Sequence, residues 1–470
     1  MLVLGIDSST QSTKALVVDA GSGEVVSESR AAHPEGTEVD ARNWWRAGCA
    51  AIGSAVAKAP GPVGAVAVAG QQHGMVALDP AGEPVRNALL WNDTRSAPQA
   101  RALVERHGAA ALAERTGVVP VASITVSKLA WLAEHEPDNA DRVDRVLLPH
   151  DWLTWQLAGR PERACTDRGD ASGTGYFSPA TGEWLPDLLT EAMGGRRPRL
   201  PEVLAPAAPA GEVEVLEGLN GAVLGAGTGD NMAAGLGLGL GPGDVVVSLG
   251  TSGTAFAVSD RPAADESGAV AGFCDATGRY LPLVCTLNAA RVLGSAAQMA
   301  GTDLAGLDEL ALEAEPGAGG LTLLPYLAGE RTPDLPDAAG TLTGLREANT
   351  TPENLARAAV EGMLCGLADG VDALRRCGAE VRRVLLIGGA SESAAVREVA
   401  PMLFGADVEV PEPNEYVALG AAKQAAWAAS GEQAPPEWSL RSQPHEAHRV
   451  DDGREVLAAY RRAREQVHGI

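Results

Sequence analysis

Short apolar segments alternate with polar turns at the start of the chain, which predicts strands rather than helices. Leu2–Ile6 is apolar and is followed by the polar run Asp7–Thr13, a second apolar segment Ala15–Asp19, the small-residue turn Ala20–Gly23 and a third segment Glu24–Glu28. Short apolar runs bounded by glycine, serine and aspartate are typical of strands joined by tight turns. We therefore predict three neighbouring strands, with a polar turn between the first and the second.

The same arrangement occurs again in the second half of the chain. Asp244–Leu249 is apolar, Gly250–Thr254 is a turn of glycine and hydroxyl residues, and Ala255–Val258 is apolar again. Further along, the predicted strand Val381–Ile387 leads through Gly388-Gly389-Ala390-Ser391 into a helical pattern that ends near Phe404. The repetition indicates a duplicated strand–turn–strand unit.

Segments with a helical period separate these strands. Asn43–Ala59 is predicted as a helix with Asn43 as its N-cap, and Val63–Ala69 as a buried strand. Helices are also predicted around residues 95–115 and 127–136 and in the charged tail at 451–468, and Pro201–Ala210 is predicted as a surface loop before a strand at Ala222–Gly225. Strands that alternate with helices favour an α/β architecture. The glycine-rich run at 239–243 places a domain boundary there, which gives domains at 1–241 and 242–470.

Length, charge and cysteine usage narrow the class of protein. A chain of 470 residues is too long for one hydrophobic core. The formal net charge of −24 argues against binding to nucleic acids or anionic membranes. The six cysteines form no CxxC pair, so neither a zinc site nor a disulfide framework is indicated, and a reducing cytoplasm is expected.

Two turns carry the residue types that bind phosphates, and a third contains glycines that let the backbone pass close to a ligand. Asp7 opens a polar turn that contains Thr10 and Thr13 and ends at Lys14, so that a carboxylate for Mg²⁺, backbone N–H groups and an ammonium group follow one another. The turn lacks the GxxxxGK pattern of a Walker A loop. Gly250-Thr251 and Gly388-Gly389-Ala390 are the other two turns. Each of these turns is also compatible with an ordinary polar hairpin or strand–helix connection.

Two further clusters suit hydroxyl chemistry. Gly225–Gly229 places Asp230 and Asn231 at the start of a helix, where a carboxylate can accept a hydroxyl proton; a capping role for Asp230 is the alternative. Gln72 and His73 end the strand Val63–Ala69, and Trp91 follows at short range. Amide, imidazole and indole groups suit a polyol ligand, although a local hydrogen-bond network is also compatible with them.

Taken together, these segments resemble the FGGY carbohydrate kinases over residues 1–440. Ser123–His135 fits the first signature of that family, the segment from Gly340 through Glu361 fits the second, and Tyr326–Pro333 is similar to a further family segment. The resemblance implies an α/β fold of two actin-like (ribonuclease H-like) ATPase domains that flank a catalytic cleft. It also implies transfer of the ATP γ-phosphate to a sugar, and the strand end Gly70–Gly74 is similar to members that act on ketopentoses.

The resemblance assigns roles to individual residues. Asp230 would be the general base, and Gln72, His73, Asp230 and Asn231 would bind the sugar. Asp7, Thr10, Thr13 and Lys14 would serve the phosphates, with Asp7 at Mg²⁺; Gly250 and Thr251 would lie at the γ-phosphate, and Gly388, Gly389 and Ala390 near the adenosine. ATP and a small sugar are the expected partners, with no nucleic acid and no membrane; a homodimer is left open. Kinases for ribulose or ribitol, and a non-catalytic actin-fold sensor, are the alternatives.

Overall fold

A computed structural model describes residues 1–470. The strands and helices are numbered separately in chain order. The strands are β1 Leu2–Ser8, β2 Ser12–Asp19, β3 Val25–Ala32, β4 Glu38–Val39, β5 Val63–Gly70, β6 Val76–Leu78, β7 Ala88–Leu89, β8 Arg145–Leu147, β9 Cys165–Asp167, β10 Phe177–Ser178, β11 Glu183–Trp184, β12 Glu202–Leu204, β13 Pro209–Glu212, β14 Val223–Gly225, β15 Thr228–Gly229, β16 Asp244–Leu249, β17 Gly253–Ala257, β18 Ala271–Cys274, β19 Tyr280–Thr286, β20 Thr322–Leu324, β21 Thr341–Thr343, β22 Arg383–Ile387, β23 Asp407–Pro411 and β24 Ser442–His445. The α-helices are α1 Arg42–Lys58, α2 Ala97–His107, α3 Ala109–Thr116, α4 Thr125–His135, α5 Pro137–Arg142, α6 Pro149–Leu157, α7 Arg168–Ala171, α8 Pro186–Ala192, α9 Asp230–Gly237, α10 Ala290–Ala300, α11 Leu304–Glu313, α12 Pro352–Arg376, α13 Ala394–Phe404, α14 Tyr416–Ser430 and α15 Val450–His468.

The chain divides into two compact units, and neither unit is one continuous stretch. The first unit contains residues 1–240, 260–281 and 414–439, and the second contains residues 241–259, 282–413 and 440–470. The segment 260–281 and helix α14 therefore lie in the first unit, although a single division at residue 241 assigns them to the second half of the chain. The two continuous domains 1–241 and 242–470 stay a prediction.

The main sheet of the first unit has the order β13-β14-β5-β1-β2-β3, and β15 also pairs with β5. β1 is antiparallel to β2 and parallel to β5, with Asp7 opposite Lys14 on one side and opposite Ala69 on the other. The predicted strands at 2–6, 15–19 and 24–28 are thus present, and the strand pair is longer than predicted because β1 continues to Ser8 and β2 begins at Ser12. Pairing continues into the polar turn because its backbone N–H and C=O groups find partners across the hairpin.

The second unit repeats this arrangement of strands. β17 pairs antiparallel with β16 and with β19, and β16 and β22 are parallel, as are β22 and β23. In both units, three antiparallel strands are therefore extended by parallel strands on the side of the first strand. This correspondence confirms the duplicated strand–turn–strand unit.

Close backbone packing holds α14 in the first unit. A Cβ atom on Gly5 of β1 would lie 1.9 Å from the backbone oxygen of Ala418, and one on Gly420 would lie 1.8 Å from that of Ala233 in α9. Only glycine fits at such positions, because any side chain would overlap backbone atoms. The run of small residues in α14 thus allows it to pack against β1 and α9.

Two predictions of local structure are wrong. The helix α1 begins at Arg42 and its N-cap residue is Ala41, which makes no side-chain cap, so Asn43 lies inside the first turn. Residues 201–210, predicted as a loop, contain β12 and the beginning of β13. These short strands form because partners elsewhere in the chain pair with them: β12 is parallel to β9, and β13 is antiparallel to β14. None of the helices is long and apolar enough to span a bilayer.

Candidate active site

The first predicted phosphate turn places Asp7 and Lys14 side by side. They face each other across β1 and β2, and the ammonium nitrogen of Lys14 lies 3.9 Å from a carboxylate oxygen of Asp7. Lys14 also forms an ion pair with Glu415, which directly precedes α14. The ammonium group of Lys14 is therefore shared between two carboxylates, and Glu415 joins the candidate site, although local sequence patterns did not reveal it.

Asp7 is almost completely buried, with 2% of its surface exposed. Burial raises the pKa of Asp7 to about 6, and Glu415 contributes in the same direction, although the Ser9 hydroxyl and Lys14 act against this rise. A buried carboxylate whose charge is incompletely balanced favours a cation beside it. Its oxygen atoms are the hard donors that Mg²⁺ prefers.

The two predicted threonines have different surroundings. The Thr10 hydroxyl accepts a hydrogen bond of 2.9 Å from the indole nitrogen of Trp91. Thr13 is buried, and its hydroxyl lies 2.8 Å from the imidazole of His33. The hydroxyl of Thr13 is thus engaged inside the protein, and Thr10 connects the turn to the loop that carries Trp91.

Gln72, Asn231 and Asp230 form one hydrogen-bonded chain, although Gln72 is far from the other two in sequence. The amide nitrogen of Asn231 donates to Gln72 over 3.3 Å and to Asp230 over 2.8 Å. The side-chain nitrogen of Gln72 has no protein partner. A Cβ atom on Gly229 would lie 2.8 Å from Gln72, so the glycine permits this close approach. The structure therefore brings together three of the four predicted sugar-binding residues.

His73, the fourth of these residues, is held by its surroundings. Its backbone has a φ of 67°, which is uncommon for a residue other than glycine. Its Nδ1 atom lies 2.7 Å from the backbone oxygen of Gly173, and its ring packs against Phe273 at 5.5 Å. A Cβ atom on Gly173 would overlap the imidazole, at 2.6 Å. Hydrogen bonding and packing thus fix the orientation of the ring.

Asp230 is the first residue of α9; the residue as a whole is partly exposed, but its carboxyl group is surrounded by protein. Burial of the carboxyl group, together with the negative charges of Asp7 and Asp170, raises the pKa of Asp230 to about 7. The backbone N–H of Asn231 donates to the carboxylate over 2.8 Å, which acts against this rise. A carboxyl group with a pKa near neutrality is well suited to accept a proton from an alcohol at physiological pH.

The predicted nucleotide residues lie in the second unit. Gly250 and Thr251 follow β16, and their backbone oxygens accept hydrogen bonds from Ala290 over 2.9 Å and Ala289 over 3.3 Å, at the start of α10. Gly388 follows β22, the parallel neighbour of β16. The two turns are therefore adjacent because parallel strands end at the same edge of a sheet.

Gly388 has a conformation and a position that only glycine accommodates. Its φ is 89°, and a Cβ atom would lie 2.8 Å from the carbonyl group of Leu249. At Gly389 a Cβ atom would meet no other atom within 4 Å, and Ala390 is buried. The turn thus offers exposed backbone at Gly389, which suits close approach of a flat ligand. The combination of these residues with those of the first unit into one site stays a prediction.

Comparison with known proteins identifies the class of enzyme. The model for the N-terminal domain of the FGGY family of carbohydrate kinases matches residues 2–237, and that for the C-terminal domain matches residues 245–429. The chain therefore belongs to the FGGY family of carbohydrate kinases. Membership confirms the predicted enzyme class, with ATP and a sugar as substrates.

Individual relatives agree with this assignment. A protein named xylulose kinase from Streptomyces coelicolor is 50% identical over 442 residues, which cover 92% of this chain and 89% of the relative. The xylulose kinase of Escherichia coli is 33% identical over 485 residues, which cover 99% of this chain and 97% of the relative. The crystal structure of xylulose kinase from Bifidobacterium adolescentis superimposes with a TM-score of 0.90 at 44% identity and covers 99% of both chains. These matches confirm the predicted two-domain α/β fold of actin-like ATPases.

Proposed function

We propose that the protein transfers the γ-phosphate of ATP to O5 of D-xylulose. The observation that carries this proposal is the hydrogen-bonded chain of Gln72, Asn231 and Asp230, in which a carboxyl group with a pKa of about 7 lies next to two side-chain amides. The carboxylate would accept the proton of the reacting hydroxyl, while the amides would bind neighbouring hydroxyls of the sugar. The similarity to proteins named xylulose kinase supports xylulose as that sugar.

Lys14 and Asp7 would serve the phosphates of ATP. Phosphoryl transfer depends mainly on alignment and on stabilisation of charge. The ammonium group of Lys14 would neutralise phosphate charge, and Thr10 and Thr13 would line the turn. Asp7 would hold Mg²⁺ directly or through water, and the ion would supply charge neutralisation at the phosphates.

The turns of the second unit would bind the remainder of the nucleotide. Gly250 and Thr251 would lie at the γ-phosphate, and Gly388, Gly389 and Ala390 near the adenosine. A location in the cytoplasm is proposed with this function, and a homodimer is left open.

The pH dependence of the reaction tests Asp230 as the base. The carboxyl group accepts a proton only when it is ionised, so kcat/KM for the sugar should rise with pH and level off with a midpoint near 7, the pKa of Asp230. The measurement requires saturating ATP and Mg²⁺, so that Asp7 is engaged throughout. A midpoint near the ordinary carboxyl value of about 4 would contradict the assignment.

A comparison of kcat/KM among related sugars and polyols tests the proposal that xylulose is the substrate. In a 2-ketopentose O5 closes the furanose ring, so a free O5 belongs to the open chain, which needs donors and acceptors along its length. Gln72, His73 and Asn231 would provide them. Glycerol lacks two carbons and the carbonyl group, so kcat/KM should be lower by at least about a hundredfold, because each unpaired polar contact costs about 1–3 kcal/mol.

Ribulose differs from xylulose only in its configuration at C3 and should be a weaker but measurable substrate. The experiment compares kcat/KM for xylulose, ribulose, ribitol and glycerol under one condition. If kcat/KM for ribulose or ribitol exceeds that for xylulose by about tenfold, which corresponds to about 1.4 kcal/mol in transition-state binding, the proposal of xylulose as the substrate is wrong. Membership of the kinase family would not be affected.

A further inference from the structure

A buried histidine lies between two carboxylates near the proposed base. The Nδ1 atom of His150 lies 2.6 Å from Asp170, and its Nε2 atom lies 3.3 Å from Asp151. The side chains of all three residues are at most 1% exposed. Both ring nitrogens thus face carboxylate oxygens, an arrangement that favours the doubly protonated, positively charged imidazole.

Two glycines leave the space that the side chain of His150 occupies between the end of β5 and the start of β15. A Cβ atom on Gly227, whose φ is 80°, would lie 2.4 Å from the ring of His150, and one on Gly70 would lie 3.0 Å from its Cβ atom. Gly70 ends β5 just before Gln72, and Gly227 precedes the strand β15, which leads into Asp230. His150 therefore packs against both segments that carry the proposed sugar-binding residues.

The backbone of Asp170 is connected through the carboxylate of Asp167 to the hydroxyl of Thr228, two residues before Asp230. Asp167 caps α7 by accepting from the backbone N–H groups of Gly169 and Asp170 over 2.8 and 2.9 Å. The same carboxylate accepts from the hydroxyl of Thr228 over 2.7 Å. Thr228 begins β15 and lies two residues before Asp230, so a displacement of α7 would shift the backbone that aims the base.

The same aspartates and His150 also influence one another, and Asp230, through their charges. Asp151, Asp170 and Asp167 raise the pKa of His150 to about 9 against the effect of burial. Asp170 and Asp7 are the negative charges that act on Asp230. Burial also raises the pKa of Asp151 to about 7 and that of Asp170 above its ordinary value, while the imidazolium of His150 acts against both rises. Tyr176 and Cys165, two further titratable neighbours, have raised pKa values because of burial and nearby carboxylates, so they are uncharged at neutral pH.

We propose that Asp170 and His150 are positioning residues of the phosphoryl transfer, because their buried ion pair fixes both the location and the electrostatic environment of the Asp230 carboxylate. The inference rests on the proposed role of Asp230 as the base. It predicts opposite effects for the two charges. Loss of the Asp170 charge leaves the imidazolium cation, which favours ionised Asp230; loss of the His150 charge leaves the Asp170 anion, which disfavours it.

The test is the pH dependence of kcat/KM for xylulose in Asp170→Asn and His150→Gln. The acid limb should move to lower pH in Asp170→Asn and to higher pH in His150→Gln, each by about half a unit or more, as expected of one charge in a partly buried site. The double variant, which removes both charges, should return the midpoint towards the wild-type value. Asp151→Asn is the matched control: it removes a carboxylate from the other face of His150, and its acid limb should move less than that of Asp170→Asn.

Thr228→Val tests the hydrogen-bond connection without a change in charge. It should lower kcat by about 3- to 10-fold, as for a lost hydrogen bond of about 1 kcal/mol, with the KM for sugar unchanged. If the charge variants do not fold, this variant decides, and a wild-type kcat would overturn the proposal. If Asp170→Asn and His150→Gln fold and the acid limbs of their kcat/KM profiles keep the wild-type midpoint, the proposal is overturned. If Asp230→Asn is inactive but the acid limbs of the charge variants stay at the wild-type midpoint, only the positioning role of Asp170 and His150 is wrong. If Asp230→Asn keeps its turnover, the assignment of Asp230 as the base is itself wrong.

Discussion

Asp230→Asn should lose about 100- to 10,000-fold in kcat and keep most of its affinity for the sugar and for ATP. An amide cannot accept the hydroxyl proton, but it has nearly the same shape and retains an oxygen that can accept the 2.8 Å hydrogen bonds from Asn231. Steady-state kinetics gives kcat, and calorimetric titration gives the two affinities. A variant with more than about a tenth of the wild-type kcat would show that Asp230 is not the base.

A measurement of thermal stability shows whether the loss of kcat in Asp230→Asn comes from the missing base or from unfolding of the variant. The folded protein raises the pKa of Asp230 above its ordinary value, so ionisation of the carboxyl group between about pH 4 and pH 7 destabilises the fold as pH increases. Asp230→Asn removes that cost, and its melting temperature at pH 8 should not fall. Asp187→Asn is the matched control: it makes the same substitution in the first turn of another helix, at a carboxylate that is 61% exposed, and should leave kcat unchanged.

Lys14→Ala should raise the KM for ATP and lower kcat/KM for ATP by about 10- to 100-fold, the range expected for loss of a charged hydrogen bond of about 1.5–3 kcal/mol. The ammonium group of Lys14 lies beside Asp7 and Glu415, on the turn proposed for the phosphates. Titration with xylulose alone should give an affinity close to that of the wild type. A large loss of sugar affinity would contradict the assignment of Lys14 to the phosphates.

Lys58→Ala is the control for this variant. Lys58 is exposed at the end of α1, where its ammonium group donates to the backbone oxygen of Glu28 over 3.1 Å. It lies in the same unit as Lys14, and its ammonium group contacts β3 rather than the turn from Asp7 to Lys14. Wild-type kinetics in Lys58→Ala would show that the loss in Lys14→Ala reflects the position of the charge rather than the change in net charge.

The sequence contained much of the information on the local fold. The strand from 244 to 249 was predicted to the residue, and β1, β2, β5 and β14 were predicted within a few residues. Such strands are apolar on both faces and are bounded by turn residues, so their pattern depends little on distant partners. The helix α1 was also predicted, but its N-cap was not, because several residue types can begin a helix once its apolar face is buried.

The sequence by itself also singled out the turn residues and Asp230 as candidates, because glycines, hydroxyl residues and carboxylates at strand ends are local features; their roles in the reaction stay a prediction. Tertiary structure alone decided which charges meet. Glu415 reaches Lys14 only because α14 returns to the first unit, and close packing at Gly5 and Gly420 makes that return possible. His150 meets Asp170 beneath Gly227 because three distant segments pack together there. A charged group's partner is fixed by the path of the whole chain, and no local pattern of residues encodes that path.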